Sequence, residues 1–164
     1  TYEGPPVRWR LIGEGPMREA CQTLLADLCI DGAGPGVIFE PWGPLLELPG
    51  RLASSDAILG IFGSTDKARR VIPNKVYQGL AIGRPVITAS TPAYPEILRA
   101  DEDQGLFWAL PGDPASIQAA VHRLHERRGV LSALGQAAHG SYLAYFSNRV
   151  ISDALTRIFF LIEH

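Results

Sequence analysis

Between Arg69 and Gly83 the chain gathers polar and cationic side chains where an anion would be stabilised. Pro73 suits the first turn of a helix, because it has no N–H to leave unpaired. Gly83 supplies a left-handed stop at the far end. The predicted helix, Pro73 to Ile82, carries Asn74, Lys75 and Gln78 near its start and follows Arg69 and Arg70. The free N–H groups and the positive dipole end of such a helix favour negative charge. An ammonium beside them is unfavourable unless an anion shares the site, so Lys75 is a candidate phosphate contact. Gln78 stands one turn further along the same face. Its amide oxygen can accept from a sugar hydroxyl while its NH2 donates. The duller readings are a surface lysine and an exposed helix residue, with Arg70 as a solvated loop charge. Asn74 is expected to shape the helix start by bonding backbone N–H groups. The chemistry is recognition of a phosphorylated ligand.

Two further turns and one aromatic residue join that set. Gly13-Glu14-Gly15-Pro16 links a strand to a helix. Gly13 and Gly15 are expected to adopt backbone conformations that a side chain would block and to let a ligand approach closely. A bare GxG is a weak nucleotide signal, since tight turns share it. Glu14 reads as solvent-facing. Gly63-Ser64-Thr65 leaves the carboxyl end of an apolar strand, the edge beyond which ligands bind in open parallel sheets. Trp42 either stacks its indole on a base or covers an apolar patch.

Other arrangements carry less. His122 and His125 share a helix face, but no third ligand is near in sequence, and Arg123, Glu126, Arg127 and Arg128 mark that face as wet. No metal site is expected there, and no Ser, His and Asp triad signature is present. Cys21 and Cys29 stand eight apart on one predicted helix, which is neither a redox pair nor half a zinc site, so buried or idle thiols are expected.

The elements that must position these groups alternate. Strands are predicted at Val7–Ile12, Val37–Phe39, Asp56–Phe62, Pro85–Thr88 and Gly105–Ala109. Helices are predicted at Pro16–Cys29, Leu45–Ala53 (with Pro49 arguing for a break) and Pro73–Ile82, then from Asp113 onward with punctuation near Gly129, Gly140 and Ser147. On the first helix Met17, Ala20, Cys21, Leu24, Leu25 and Leu28 share one side. The segments 32–36 and 63–72 read as loops. Strands too apolar for one wet face, alternating with helices, predict an α/β, Rossmann-like three-layer domain with a mostly parallel sheet and helices on both faces. With 164 residues, 46% hydrophobic and 20% charged, the chain has the core of one ordinary soluble domain. A net charge of -2 gives no reason to expect nucleic acid. No apolar run approaches the roughly 20 residues of a membrane span and no signal peptide is visible, which together predict a cytoplasmic setting.

The same segments resemble the nucleotide-sugar-binding half of group-one (family four) glycosyltransferases, enzymes of two facing Rossmann-like domains (the GT-B type). LIGEGPMREA resembles the family's strand, GxGP turn and helix. VIFEPW, ELPGRLASSDAILGIFG, the IPNKVY segment with GRPVIT, YPEIL, GLFWALPGDPASIQAAV and YFSNRV match later landmarks in order. The resemblance implies a single C-terminal donor-binding domain over residues 1–164, taken from a larger enzyme whose N-terminal acceptor domain is absent. The strand, helix and Arg/Lys pair that usually precede the first landmark are also absent, leaving the completion of the sheet open. It implies a retaining hexosyl transfer from a nucleotide-diphosphate sugar to an acceptor hydroxyl, with this chain alone incomplete for catalysis. The implied partners are the nucleotide-sugar donor and, through the missing domain, an acceptor glycan or lipid-linked sugar. Peripheral membrane contact stays open for the full-length enzyme. No cofactor and no metal are implied, because the helix dipole and cations stabilise the leaving diphosphate. The implied donor-binding residues are Gly13, Gly15, Trp42, Gly63, Ser64, Lys75 and Gln78, with no catalytic residue assigned. A Glu-x7-Glu pattern in the family falls on Arg70 and Gln78, neither acidic. Gln78 keeps the geometry of a ribose contact but loses a charge-assisted bond. That departure keeps a non-catalytic nucleotide-sugar-binding module open as an alternative. A sugar-nucleotide epimerase of the same fold is the other.

Overall fold

The computed structural model describes residues 4–28 and 36–162, in two compact units, Thr1–Leu48 and Pro49–His164. Cys29 and the expected connector at 32–35 lie outside the described residues. In the first unit β1 (Arg8–Ile12) pairs in parallel with β2 (Gly36–Glu40), Arg8 opposite Gly36 and Ile12 opposite Glu40. The helix α1 (Arg18–Leu28) runs between them in sequence. A fork of two bonds from Arg10 to Glu40, Nε to Oε1 at 2.5 Å and Nη2 to Oε2 at 3.1 Å, ties the strands together. The apolar side of α1 is less covered than its periodicity predicts: Met17 is 66% and Leu24 60% exposed, and the Cys21 thiol is exposed. A two-stranded sheet offers too little surface to bury an amphipathic helix fully.

The second unit holds a three-stranded parallel sheet in the order β3 (Ile58–Leu59), β4 (Val86–Ala89), β5 (Leu106–Ala109). Val86 pairs with both Ile58 and Leu106. Every residue of β4 is buried. Because successive side chains of a strand point to opposite faces, both faces of β4 are covered. The sheet is thus flanked by helices, with α4 (Asn74–Ala81) packed on β3 and β4 and α6 (Pro114–Glu126) on β5 and β4. A third long helix, α7 (Leu131–Tyr145), packs against α4. Val76 and Leu80 of α4, Val86, Leu98, Leu106 and Phe107 form the buried centre.

Several local expectations are corrected. The helix expected at Leu45–Ala53 is a 3-10 turn, Leu45–Glu47, followed by α2 (Leu48–Ala53), so the break precedes Pro49, which sits in a first turn where its missing N–H costs nothing. The ladder of β3 is shorter than Asp56–Phe62, although Gly60 N still donates to Ile87 O at 2.7 Å and Ala89 N to Ile61 O at 3.0 Å. The loop expected at 63–72 contains α3 (Asp66–Arg70), opened by the Thr65 side chain accepting from Ala68 N. Short helices also occupy stretches without an earlier assignment: α5 (Glu96–Arg99) and a 3-10 turn at Glu102–Gln104. Gly140 does not punctuate: α7 runs through it, and α8 (Asn148–Ile162) follows the break at Ser147. A helix tolerates an internal glycine for about 1 kcal/mol when its packing is otherwise good.

A buried polar pair braces the core. Thr88 Oγ1 and Tyr94 OH lie 3.1 Å apart, and Tyr94 stacks edge-on to Trp108 with ring centroids 5.0 Å apart. Burial pushes the Tyr94 phenol up to about 12; the hydrogen bond to Thr88 works against that shift, and Tyr77 adds to it. The folded state therefore resists ionisation more than the unfolded chain does. Its contribution is whole below pH 10 and is lost as pH rises toward 12. We expect the stability advantage of wild type over Tyr94→Phe to shrink by roughly 1.4 kcal/mol between pH 8 and pH 11 in urea unfolding. A pH-independent difference would mean that the phenol ionises equally in both states.

Candidate functional site

In the second unit the site is built on the carboxyl edge of the sheet. The chain leaves β3 through Gly60–Phe62 into Gly63 and Ser64, turns through α3 and re-enters at α4. The loop is held from the β5 side, where Gly112 N donates to Phe62 O at 2.6 Å. Gly112 has φ +75°, and a Cβ there would lie 3.3 Å from Ser64 Cβ, so glycine lets the two loops approach. Gly63 has ordinary room and no positive φ; its place in the loop is set by neighbours and not by a special conformation. Thr91, just past β4, is buried and its hydroxyl has no partner among the described residues. A buried hydroxyl there satisfies itself only with something that enters the edge, water included.

The start of α4 is left open. Its N-cap is Pro73, which supplies no side-chain cap, so the expected bonding of the helix start by Asn74 is not what holds it. Val76 N turns back to Pro73 O at 2.9 Å instead. At the other end Gly83, at φ +69°, closes the helix as predicted, with its N–H donating to Leu80 O at 3.0 Å. Lys75 is solvent-accessible and, among the described residues, has no carboxylate partner. Protein crowding around its ammonium pulls the pKa below the ordinary lysine value. Surface area and desolvation describe different parts of this side chain: a reachable stem, and a charge with less water around it than a free lysine has. Desolvation and the helix dipole both disfavour the bare cation, and an incoming anion relieves both. Gln78 is half-buried one turn along. Arg70, by contrast, lies on α3 in an exposed pair with Asp66 at 3.3 Å, a geometry of small energetic consequence.

In the first unit the GxG turn and Trp42 come together. Gly13 has φ +135° and its N–H donates to Glu40 O at 3.1 Å, fastening the turn to the end of β2. A Cβ on Gly13 would lie 3.7 Å from Trp42 Cε3, which places the indole over the turn. Gly15 has no positive φ and open space around it, so the special conformation expected there is needed at Gly13 alone. Trp42 is 63% exposed and presents its ring to solvent. Glu14 is exposed as expected, but it pairs with Arg18 at 3.1 Å. Arg18 was not among the expected site residues; its position four after Glu14, one helical turn, is the only sequence signal for it.

Among the described residues no group of three His, Cys, Asp or Glu is placed to hold a metal ion. No helix among them is long and apolar enough to cross a membrane.

Comparison with known proteins places these features in a family. The model of the family described as glycosyl transferases group 1 matches residues 2–127, more than half of the chain. A curated relative, the lipopolysaccharide core biosynthesis glycosyltransferase LpsD of Rhizobium meliloti (strain 1021), is 26% identical over 149 residues, covering 91% of this chain and 40% of its own length. Among solved structures, sucrose-phosphate synthase from Thermosynechococcus elongatus superposes with a TM-score of 0.70 at 14% identity, over 93% of this chain and 38% of that one. TarM superposes with a TM-score of 0.68 at 12% identity, over 92% of this chain and 28% of that one. At such identities the two structures speak for a shared Rossmann-like fold of the GT-B type. The chain thus spans about two fifths of the curated relative it matches.

Proposed function

The chain belongs to the group 1 glycosyl transferases, and from that premise we propose that it is the donor-binding part of a retaining enzyme that moves a sugar from a nucleotide diphosphate to an acceptor hydroxyl. The observation that carries the reading is the open start of α4, with Lys75 desolvated beside it and no carboxylate among the described residues to neutralise it. A diphosphate supplies the missing charge. As the bond between anomeric carbon and diphosphate breaks, the electron pair stays on the leaving phosphate, and the helix N–H groups and Lys75 stabilise it there. Gln78 bonds the ribose hydroxyls, and Gly63 and Ser64 offer backbone groups to the sugar and phosphates; in the first unit, taken by itself, the Gly13–Gly15 turn with Trp42 offers a stacking surface for a planar ring. No cofactor takes part, the acceptor hydroxyl of a glycan or lipid-linked sugar comes from a domain beyond these residues, and the setting is cytoplasmic.

Gln78 provides a direct test. Replacing it with leucine removes both hydrogen-bonding ends without shortening the side chain much. We expect Gln78→Leu to weaken a ribonucleoside diphosphate by about 1 kcal/mol or more and to leave its 2′-deoxy analogue nearly unaffected. Gln78→Glu should keep or strengthen ribose binding, because a carboxylate accepts from both hydroxyls. If wild type and Gln78→Leu treat ribose and deoxyribose ligands alike, the ribose contact lies elsewhere and a non-catalytic module gains ground.

A further inference from the structure

Resting on the donor-site reading above, we infer that the outer face of α3 is an electrostatic guide: Lys67, Arg69 and Arg70 draw an anionic nucleoside diphosphate toward the start of α4 and so set how fast it arrives. All of the groups concerned lie in the second unit. Residues 66–75 hold four cations, Lys67, Arg69, Arg70 and Lys75, against one carboxylate, Asp66. The whole chain has 15 lysines and arginines against 17 acidic residues, a net charge of -2, so this segment runs against the sign of the rest. A chain of negative net charge repels an anion on average. A local run of cations then gives the approach its direction.

The local fold leaves these cations in water. Ala68 N donates to Thr65 Oγ1 at 3.3 Å, which turns the chain into α3 directly after Gly63 and Ser64. A Cβ on Gly63 would lie 3.6 Å from Ala68 Cβ, so the small face of α3 rests on the loop that leaves β3. Ala68 is half-buried, whereas Lys67, Arg69 and Arg70 are exposed. Among the described residues Lys67 and Arg69 have no carboxylate partner. Arg70 has Asp66, but both side chains are open to solvent, at 78% and 86% exposure, and water competes for the pair. Val71 and Pro73 are extended, and α4 follows. The five positions from Arg70 to Lys75 span at most about 18 Å. That is roughly two screening lengths at physiological salt and less than one at about 0.01 M. The same cations also suit the last turn of α3, where the helix dipole is negative. That role bears on stability; a guide bears on rate. In the bound state the contacts belong to α4, and the face of α3 acts through its charge alone.

The test measures both rates for UDP, GDP and ADP without a label on the ligand. Calorimetry gives the dissociation constant, phosphorus NMR line shapes give the dissociation rate, and their ratio gives the association rate. At about 0.01 M salt the double variant Lys67→Glu/Arg69→Glu should bind the preferred diphosphate roughly tenfold more slowly and release it at the wild-type rate. At about 1 M salt, where charges are screened within about 3 Å, variant and wild type should coincide. The uncharged parent nucleoside should bind both proteins alike. Lys67→Ala/Arg69→Ala should show a smaller loss of the same kind and guards against unfolding of α3 by the reversed charges. Lys67→Arg/Arg69→Lys keeps both charges and should keep the wild-type rate, whereas a forked arginine contact would not survive the exchange. A loss in that charge-keeping variant, a faster release with unchanged association, or a loss that salt does not erase would overturn the inference. So would a lowered melting temperature with both rates intact. Failure of wild type to bind any of the three diphosphates would instead overturn the donor-site reading, and this inference with it.

Discussion

Gly105→Ala is expected to cost about 4 kcal/mol or more of folding stability. Gly105 sits at φ +79°, where a side chain crowds its own backbone, and that alone is worth about 1–2 kcal/mol. The added Cβ would also stand 2.6 Å from Ala138 Cβ and 2.7 Å from Ala138 Cα and N. Those backbone atoms belong to α7, so relief requires lifting that helix from the 3-10 turn before β5. The same glycine immediately precedes β5, and its carbonyl accepts from Val86 N at 2.9 Å, so a shift would also loosen the middle strand. Urea unfolding gives the comparison. Gly140→Ala, on α7 with open space around its Cβ, is the control and should stabilise by up to about 1 kcal/mol. Equal and small effects at the two positions would mean that α7 does not pack on Gly105 as described.

These two glycines also mark where sequence reading succeeds and stops. Pro73 and Gly83 were legible as the ends of α4 because each has a backbone consequence of its own, a missing N–H and a positive φ. Gly140 carries the same letter without that consequence, and only packing tells the two kinds apart. The strand at Val86–Ala89 was legible because four apolar or small residues in a row need cover on both faces. The apolar side of α1 was equally legible, but periodicity says that a face exists, not how much of it is covered. A helix of five residues such as α3 is too short for any period to show, although Thr65 followed by Asp66 is a capping signal. Arg18 was legible only as the residue four after Glu14. Its partner Glu40 lies 22 residues away, and nothing local states that the ends of β1 and β2 share one cation. Lys75 and Gln78 were legible as a pair on one helix face. That Lys75 lacks a counter-charge among the described residues required the surrounding elements to be in place.

Lys75→Ala carries the largest expected effect on binding. If the ammonium meets the diphosphate, its removal should cost roughly 1.5–3 kcal/mol of nucleoside diphosphate affinity, the range for hydrogen bonds to charged groups. The parent nucleoside, which has no phosphate to offer, should bind the variant and wild type alike. The pH dependence has a definite sign. Burial holds the Lys75 pKa below its ordinary value of 10.5 in the free protein, and a bound anion raises it again. Binding therefore takes up protons in the alkaline range below 10.5. Wild-type affinity should fall as pH climbs through that window, and the affinity of Lys75→Ala should not follow it.

Calorimetric titration of the wild-type protein and Lys75→Ala with UDP, GDP and ADP, each beside its nucleoside, tests the central claim most directly. The account predicts that at least one diphosphate binds wild type more tightly than its nucleoside does. At 100 times its dissociation constant that ligand should stabilise the fold by about 2.7 kcal/mol. In Lys75→Ala the gap between diphosphate and nucleoside should largely close. Wild type that binds none of the diphosphates, or binds each no better than its nucleoside, would contradict it.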